Sequence, residues 1–255
     1  MSIPSLSLEG KTALVTGARR GIGEATALAF AEAGADVAIC DWVVEGGELA
    51  AVAEQIEKLG RRSLAVEADV SRKAHVDSLV QRTMDEFGTI DVLVNNAGIA
   101  SAIQLLEISE DDWDLVINID LKGCYLCSQA VGRIMVEQKR GNIINISSVF
   151  GINGHPACVA YDSAKAGVIS LTRALACNLG PYNIRANAIA PGSIKTEMIR
   201  PLWSDPELLR ALERSNALGR IAEPSEIANV ALFLASDASS YVSGHTIVAD
   251  AGLTA

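Results

Sequence analysis

The stretch KTALVTGARRGIGEATALAFAEAG, residues 11–34, decides how this chain folds. Its first six residues are an apolar run suited to a buried strand, a glycine-bearing turn follows, and from Gly21 onward apolar positions recur with helical period. Six more runs of the same kind follow: ADVAIC (35–40), RRSLAVEA (61–68), IDVLVN (90–95), GNIINIS (141–147), IRANAIA (184–190) and HTIVAD (245–250). Segments of helical period separate them, such as VEGGELAAVAEQIEKLG (44–60) and SRKAHVDSLVQRTMDEFG (71–88). Regular strand–helix alternation predicts an α/β fold with a parallel sheet and helices on both faces. Gly34, Gly60, Gly88 and Gly180 stand where helices should end. Residues 193–218 carry no strand pattern but hold Pro201, Pro206 and many charges, which predicts a helical excursion over a site within a single domain spanning 1–255.

Composition excludes several function classes. Lys and Arg number 21 against 31 Asp and Glu, a formal charge of −10 that works against nonspecific binding to nucleic acid or an anionic membrane. No stretch reaches the roughly 18 apolar residues of a membrane span. The opening MSIPSLSLEG lacks the basic-then-apolar pattern of a leader, so a cytoplasmic protein is expected. Cys124 and Cys127 form a C-x-x-C within a helical segment with no second ligand pair at zinc spacing, so core packing is expected and no metal site is assigned.

In an open α/β sheet, ligands gather at the carboxyl ends of the strands. After the first strand, Gly17, Gly21 and Gly23 follow a G-x-x-x-G-x-G spacing with Arg20 and Ile22 between them. Such a turn lets the backbone approach a pyrophosphate at the N-terminus of the next helix. Asp41 closes the second strand about 20 residues later, where a carboxylate accepts hydrogen bonds from adenosine ribose hydroxyls. That favours NAD over NADP, because a 2′-phosphate would meet a like charge; Arg20 argues the other way. Asp69 and Val70, after the third strand, are candidates for contacting adenine, with helix capping near Ser71 as the alternative for Asp69.

Tyr161 and Lys165 lie four residues apart in AYDSAKAGVISLTRALA, on one helix face. An ammonium beside a phenol favours the phenolate, the form that takes a proton from an alcohol. Ser148 ends the fifth strand, Asn118 precedes it in a helix, and Asn95-Asn96-Ala97-Gly98 ends the fourth. With the glycine spacing, this set resembles the short-chain dehydrogenase/reductase family over about residues 11–252.

The resemblance implies a doubly wound Rossmann fold with a seven-stranded parallel sheet, and a nicotinamide-dependent oxidoreductase interconverting an alcohol and a carbonyl. It implies Tyr161 as general acid/base and Lys165 as its helper and ribose ligand. Ser148 would bind the substrate oxygen, and Asn118 would hold a water in the proton path. Asn95, Ala97 and Gly98 would support cofactor and sheet. Pro191, Gly192, Ile194 and Thr196 would flank the nicotinamide, with neither metal nor covalent intermediate required. Two departures from the family pattern are visible: Ala251 in Asp250-Ala251-Gly252, expected to be a conservative change, and Asp162, expected to point away from Tyr161. A homotetramer is expected by resemblance.

Loops at about 99–106, 149–158 and 193–218 should set specificity, with Asn153 and His155 as candidate substrate contacts beside Ser148 and Tyr161. Trp203, Ser204, Asp205, Glu207 and Arg210 add polar groups that suit a sugar or polyol. An NADPH-dependent 3-oxoacyl-[acyl-carrier-protein] reductase is the alternative, with Lys139 and Arg140 able to meet an acidic carrier. A catalytically idle dinucleotide-binding scaffold is the remaining one.

Overall fold

All seven expected strands are present in one parallel sheet, ordered β3-β2-β1-β4-β5-β6-β7. The computed structural model describes residues 5–255; the first four residues of the opening stretch lie outside the described residues. The strands are β1 Thr12–Thr16, β2 Asp36–Asp41, β3 Ser63–Glu67, β4 Val92–Asn95, β5 Gly141–Ile146, β6 Ile184–Pro191 and β7 Thr246–Ala249. Strand order reverses between β1 and β4, which opens a crevice at their carboxyl ends.

Alternate side chains leave opposite faces of each strand. Val15, Ile39, Val94 and Ile144 join one core with helices α1 Gly21–Glu32, α2 Glu48–Lys58 and α9 Pro224–Ala235. Their neighbours Leu14, Ala38, Leu93 and Ile143 join the other, under α3 Lys73–Phe87, α5 Gly123–Gln138 and α6 Val159–Leu179. Burial on both faces explains why these strands read as unbroken apolar runs. Cys124 and Cys127 lie buried in α5, where burial pushes the Cys124 thiol up to about 12.

Gly88 caps α3 in the left-handed conformation, whereas Gly180 at the end of α6 is right-handed and Asn183 makes the left-handed turn instead. Ahead of α5, the short helix α4 Glu110–Val116 passes through a π-helical segment, Ile117–Lys122. A π segment adds a residue to the turn and shifts which side chains face inward. Residues 193–218 run through a 3-10 turn at Glu197–Ile199, then α7 Arg200–Trp203 and α8 Pro206–Ser215. Asp205 caps α8 by accepting the Glu207 and Leu208 amides at 2.8 and 3.1 Å. Among the described residues, no helix is long and apolar enough to cross a membrane.

Candidate active site

Beyond β1 the backbone turns at Gly17 and Gly21, both left-handed at φ 63° and 65°. The loop after β4 clamps this turn. Thr16 Oγ1 accepts the Asn96 and Ala97 amides at 3.1 Å each, and Asn96 Nδ2 donates to the carbonyls of Thr16 at 3.0 Å and Gly17 at 2.8 Å. A Cβ on Gly17 would come within 2.7 Å of Ala97 Cα, and one on Gly23 within 2.5 Å of Asn96 Nδ2. Sequence reasoning gave Asn96 no role, although it adjoins Ala97. Helix α1 starts at Gly21 with no side-chain cap from Arg20, so its first amides face the turn unclaimed by that residue. Ile22 packs against the core.

At the end of β2, the arginine beside Asp41 is Arg19. Its Nε lies 3.6 Å from Asp41 Oδ1, and its Nη1 donates to Glu48 Oε2 at 2.5 Å. Arg20, the residue weighed from sequence, is exposed and lines a cavity with Gly21, Glu24, Lys195, Thr196 and Trp203 whose lining does not include Asp41. Asp69 Oδ1 accepts from the Ser71 amide at 2.9 Å and hydroxyl at 2.7 Å, a turn just ahead of α3, whose cap position Arg72 has no side-chain cap. Val70 is buried, with Cγ2 packed against Gly123 of α5. Asn95 is buried and donates to Ser128 Oγ at 2.9 Å and Asn145 Oδ1 at 2.8 Å, tying β4 to α5 and β5.

At the carboxyl end of β5, Ser148 is buried and accepts the Phe150 amide at 3.2 Å. Tyr161 and Lys165 face it from α6, with Lys165 Nζ 5.4 Å from the Tyr161 ring centre. Lys165 is buried, donates to Ile146 O at 3.1 Å, and has Asp120 Oδ2 at 3.0 Å. The asparagine expected beside this pair is elsewhere. Asn118 Oδ1 accepts from Lys122 Nζ at 3.2 Å in an exposed contact, and Asp120 of the same π segment faces Lys165 in its place.

Lys165 acts on the Tyr161 phenol in the expected direction, but burial and Asp120 act against it. Burial pushes the Tyr161 phenol above its ordinary range; Lys165 pulls down, Asp120 pushes up again, hydrogen bonding with Ser148 pulls down, and Cys158 adds a small upward push. Against the desolvation that works to lower it, Asp120 and then Tyr161 hold the Lys165 ammonium above its ordinary range. Burial raises the Asp120 carboxyl, with Lys165 opposing. The 3.0 Å contact marks an ion pair.

The segment after β6 closes over the glycine turn. Gly192 admits the tail, since a Cβ there would meet Asp250 Cα at 2.8 Å; Ile194 is buried and bridges to Ala222; Thr196 Cγ2 would lie 3.3 Å from a Cβ on Gly21. Pro191 ends β6, opposite Ala249 of β7. Trp203 Nε1 donates to Thr196 O at 2.8 Å and pins the excursion to this segment. In the loop after Ser148, Asn153 is exposed, the His155 ring stacks on Phe150, and the His155 amide donates to Asp162 Oδ2 at 2.5 Å. Asp162 therefore turns toward the loop, away from the phenol, as expected.

The glycine cradle, the open helix start and the Asp41 carboxylate fit the pyrophosphate and ribose of a nicotinamide dinucleotide. Comparison with known proteins agrees. A family model described as enoyl-(acyl carrier protein) reductase matches residues 17–254. The (2S)-[(R)-hydroxy(phenyl)methyl]succinyl-CoA dehydrogenase subunit BbsD of Thauera aromatica is 44% identical over 95% of this chain and 96% of its own. The 3-oxoacyl-[acyl-carrier-protein] reductase FabG of Thermotoga maritima is 43% identical over 97% and 99%. A gluconate 5-dehydrogenase from Burkholderia cenocepacia, solved with NADP and tartrate, superposes with a TM-score of 0.94 at 35% identity, over 100% and 99% of the two chains. The seven-stranded fold, the matched family model and these near-full-length relatives together make the chain a member of the short-chain dehydrogenase/reductase family, an oxidoreductase acting on CH–OH groups with NAD(P).

Proposed function

We propose that the chain is an NAD(H)-dependent dehydrogenase of a small hydroxylated molecule such as a sugar or polyol. The observation that carries this reading is the convergence of Ser148, Tyr161 and Lys165 at the strand ends beside the glycine cradle. The nicotinamide supplies the hydride acceptor or donor. Tyr161 exchanges the proton of the substrate oxygen, Ser148 donates a hydrogen bond to that oxygen, and Lys165 biases the phenol and offers a further N–H to the ribose. Asn95, Ala97 and Gly98 support the cradle; Pro191, Gly192, Ile194 and Thr196 flank the nicotinamide; the excursion at 193–218 covers the substrate. Asn153 and His155, in the exposed loop after Ser148, are the loop groups offered to a substrate hydroxyl.

The NAD preference rests on charge. Asp41 and Glu48 together outweigh Arg19, so a 2′-phosphate would enter a net negative corner. Two like charges a few ångströms apart cost on the order of 4 kcal/mol at an effective dielectric near 20. The likeness to a gluconate dehydrogenase supports a polyhydroxylated substrate, while its bound NADP favours the other cofactor. Arg19, turned away from Asp41, would give a 2′-phosphate its cation.

A second reading, an NADPH-dependent 3-oxoacyl-[acyl-carrier-protein] reductase, is favoured by the likeness to the Thermotoga protein. Against it, Arg140 is spent on Asp91 at 3.0 Å, and it precedes β5 at the end of the sheet remote from Ser148. Initial rates with NAD and NADP over sugars and polyols, set beside NADPH with a 3-oxoacyl thioester, separate the two. Turnover of a polyol with NAD at a kcat/KM at least about tenfold above NADP is expected; activity confined to NADPH and the thioester overturns the reading.

A cytoplasmic homotetramer is part of the proposal. Exposed Leu115 and Tyr125 around α4–α5, and Val248 on the edge strand β7, supply apolar surface for it, and light scattering after size exclusion measures the mass.

A further inference from the structure

Asp120 received no role from the sequence, yet it is only 2% exposed. One carboxylate oxygen accepts the Ile99 amide at 2.9 Å, and the other lies 3.0 Å from Lys165 Nζ. Gly98 makes room for the pair, since a Cβ there would fall 2.8 Å from Asp120 Oδ2 and 3.2 Å from Lys165 Nζ. The site is thus walled by the π segment, the loop after β4, the end of β5 and α6.

Titratable groups reach this place from each packed element. Tyr161 comes from α6, Cys124 from α5, and Cys158 from the turn before α6. Burial pushes the Cys124 thiol up to about 12 and raises Cys158 as well, so both are neutral near pH 7. Asp162, next to Tyr161, is turned to the His155 amide. Asp120 is left as the full negative charge facing Lys165. An ammonium matched at 3.0 Å by a carboxylate presents little net charge to a neighbouring phenol, and so does little to favour phenolate.

We propose that Asp120 is a positioning residue that cancels the charge of Lys165 and keeps Tyr161 a protonated phenol in the cofactor-free chain. The inference rests on Tyr161 being the acid/base group proposed above. In carbonyl reduction, the Tyr161 proton passes to the substrate oxygen as hydride from the reduced nicotinamide reaches the carbon, and solvent reprotonates the phenolate. Reduction is therefore ready at neutral pH. Oxidation, which needs phenolate, waits for alkaline pH or for positive charge brought by the cofactor.

Near-ultraviolet phenolate absorbance of the cofactor-free protein, wild type minus Tyr161→Phe, isolates Tyr161 from Tyr125, Tyr182 and Tyr241. The wild-type transition is expected at or above that of ordinary tyrosine. Asp120→Asn should move it to lower pH by roughly half a unit or more, and carry the acid limb of kcat/KM for alcohol oxidation the same way. A purely structural aspartate would change melting temperature or turnover without moving either titration.

Two results overturn the proposal: a wild-type Tyr161 that titrates below ordinary tyrosine, or an Asp120→Asn transition that stays in place or rises. A rise would mean that Lys165 had lost its proton instead. If Asp120→Asn does not fold, Asp120→Ser takes its place in the same comparison. Full turnover by Tyr161→Phe would instead overturn the acid/base reading and leave the titration result standing.

Discussion

At Tyr161, burial and the Asp120 carboxylate favour the phenol, while Lys165 and Ser148 favour the phenolate. With the balance on the side of the phenol, the base form grows only as pH climbs toward and past its raised titration point. Alcohol oxidation should rise with pH across that window, and carbonyl reduction should fall there. Tyr161→Phe removes the proton but keeps the ring packed near Val116 and Ala164. Turnover should drop about 100-fold or more with little change in cofactor affinity, and retention of more than about a tenth would refute the role. Calorimetric titration with NAD measures cofactor affinity in the same variant.

At the scale of elements, the contact of the loop after β4 with the π segment is the tightest constraint on the proposed catalytic pair. Gly98→Ala would press its methyl on Asp120 and Lys165, an overpacking worth about 1–3 kcal/mol. Urea denaturation should report that loss of stability, and oxidation should slow with it; unchanged stability and rate would show that the loop yields. The five inner strands were legible in the sequence because burial on both faces leaves short apolar runs, and the partly buried edge strands β3 and β7 were legible from their place in the strand–helix alternation. The glycine turn was legible for a different reason, since Gly17 and Gly21 occupy backbone conformations that other residues resist. What the sequence hid was phase. Choosing between Asn118 and Asp120, two residues apart, or between Arg19 and Arg20, one apart, takes knowledge of which side of a helix or turn faces the site. One clue was available: Asp120 stands four residues from both Val116 and Cys124, two buried positions of the same rod.

For the molecule as a whole, the C-terminal turn matters more than its sequence suggested. Ala251 adopts φ 55°, a left-handed conformation, so the replacement of the usual glycine is not conservative in backbone terms. Such a conformation costs a residue with a Cβ about 1–2 kcal/mol, of which glycine's larger unfolded-state entropy returns about 0.5–1. Ala251→Gly should therefore stabilise the chain by about 0.5–1 kcal/mol, seen as a higher Tm and a higher denaturation midpoint. A lower Tm would mean that neighbouring packing offsets the strain.

That turn also touches both ends of the excursion. Asp250 lies against Gly192, Gly252 lies against Ala217, and Ala251 O accepts the Leu218 amide at 3.3 Å. Asp250 Oδ2 in turn holds Thr254 through its amide at 2.9 Å and its hydroxyl at 2.8 Å. For anyone attaching the protein to a surface, a dye or a fusion partner, residues 250–255 are consequently a poor handle. A pull applied there is transmitted to both ends of the 193–218 excursion, and an assay on protein tethered that way would read the tether as well as the enzyme.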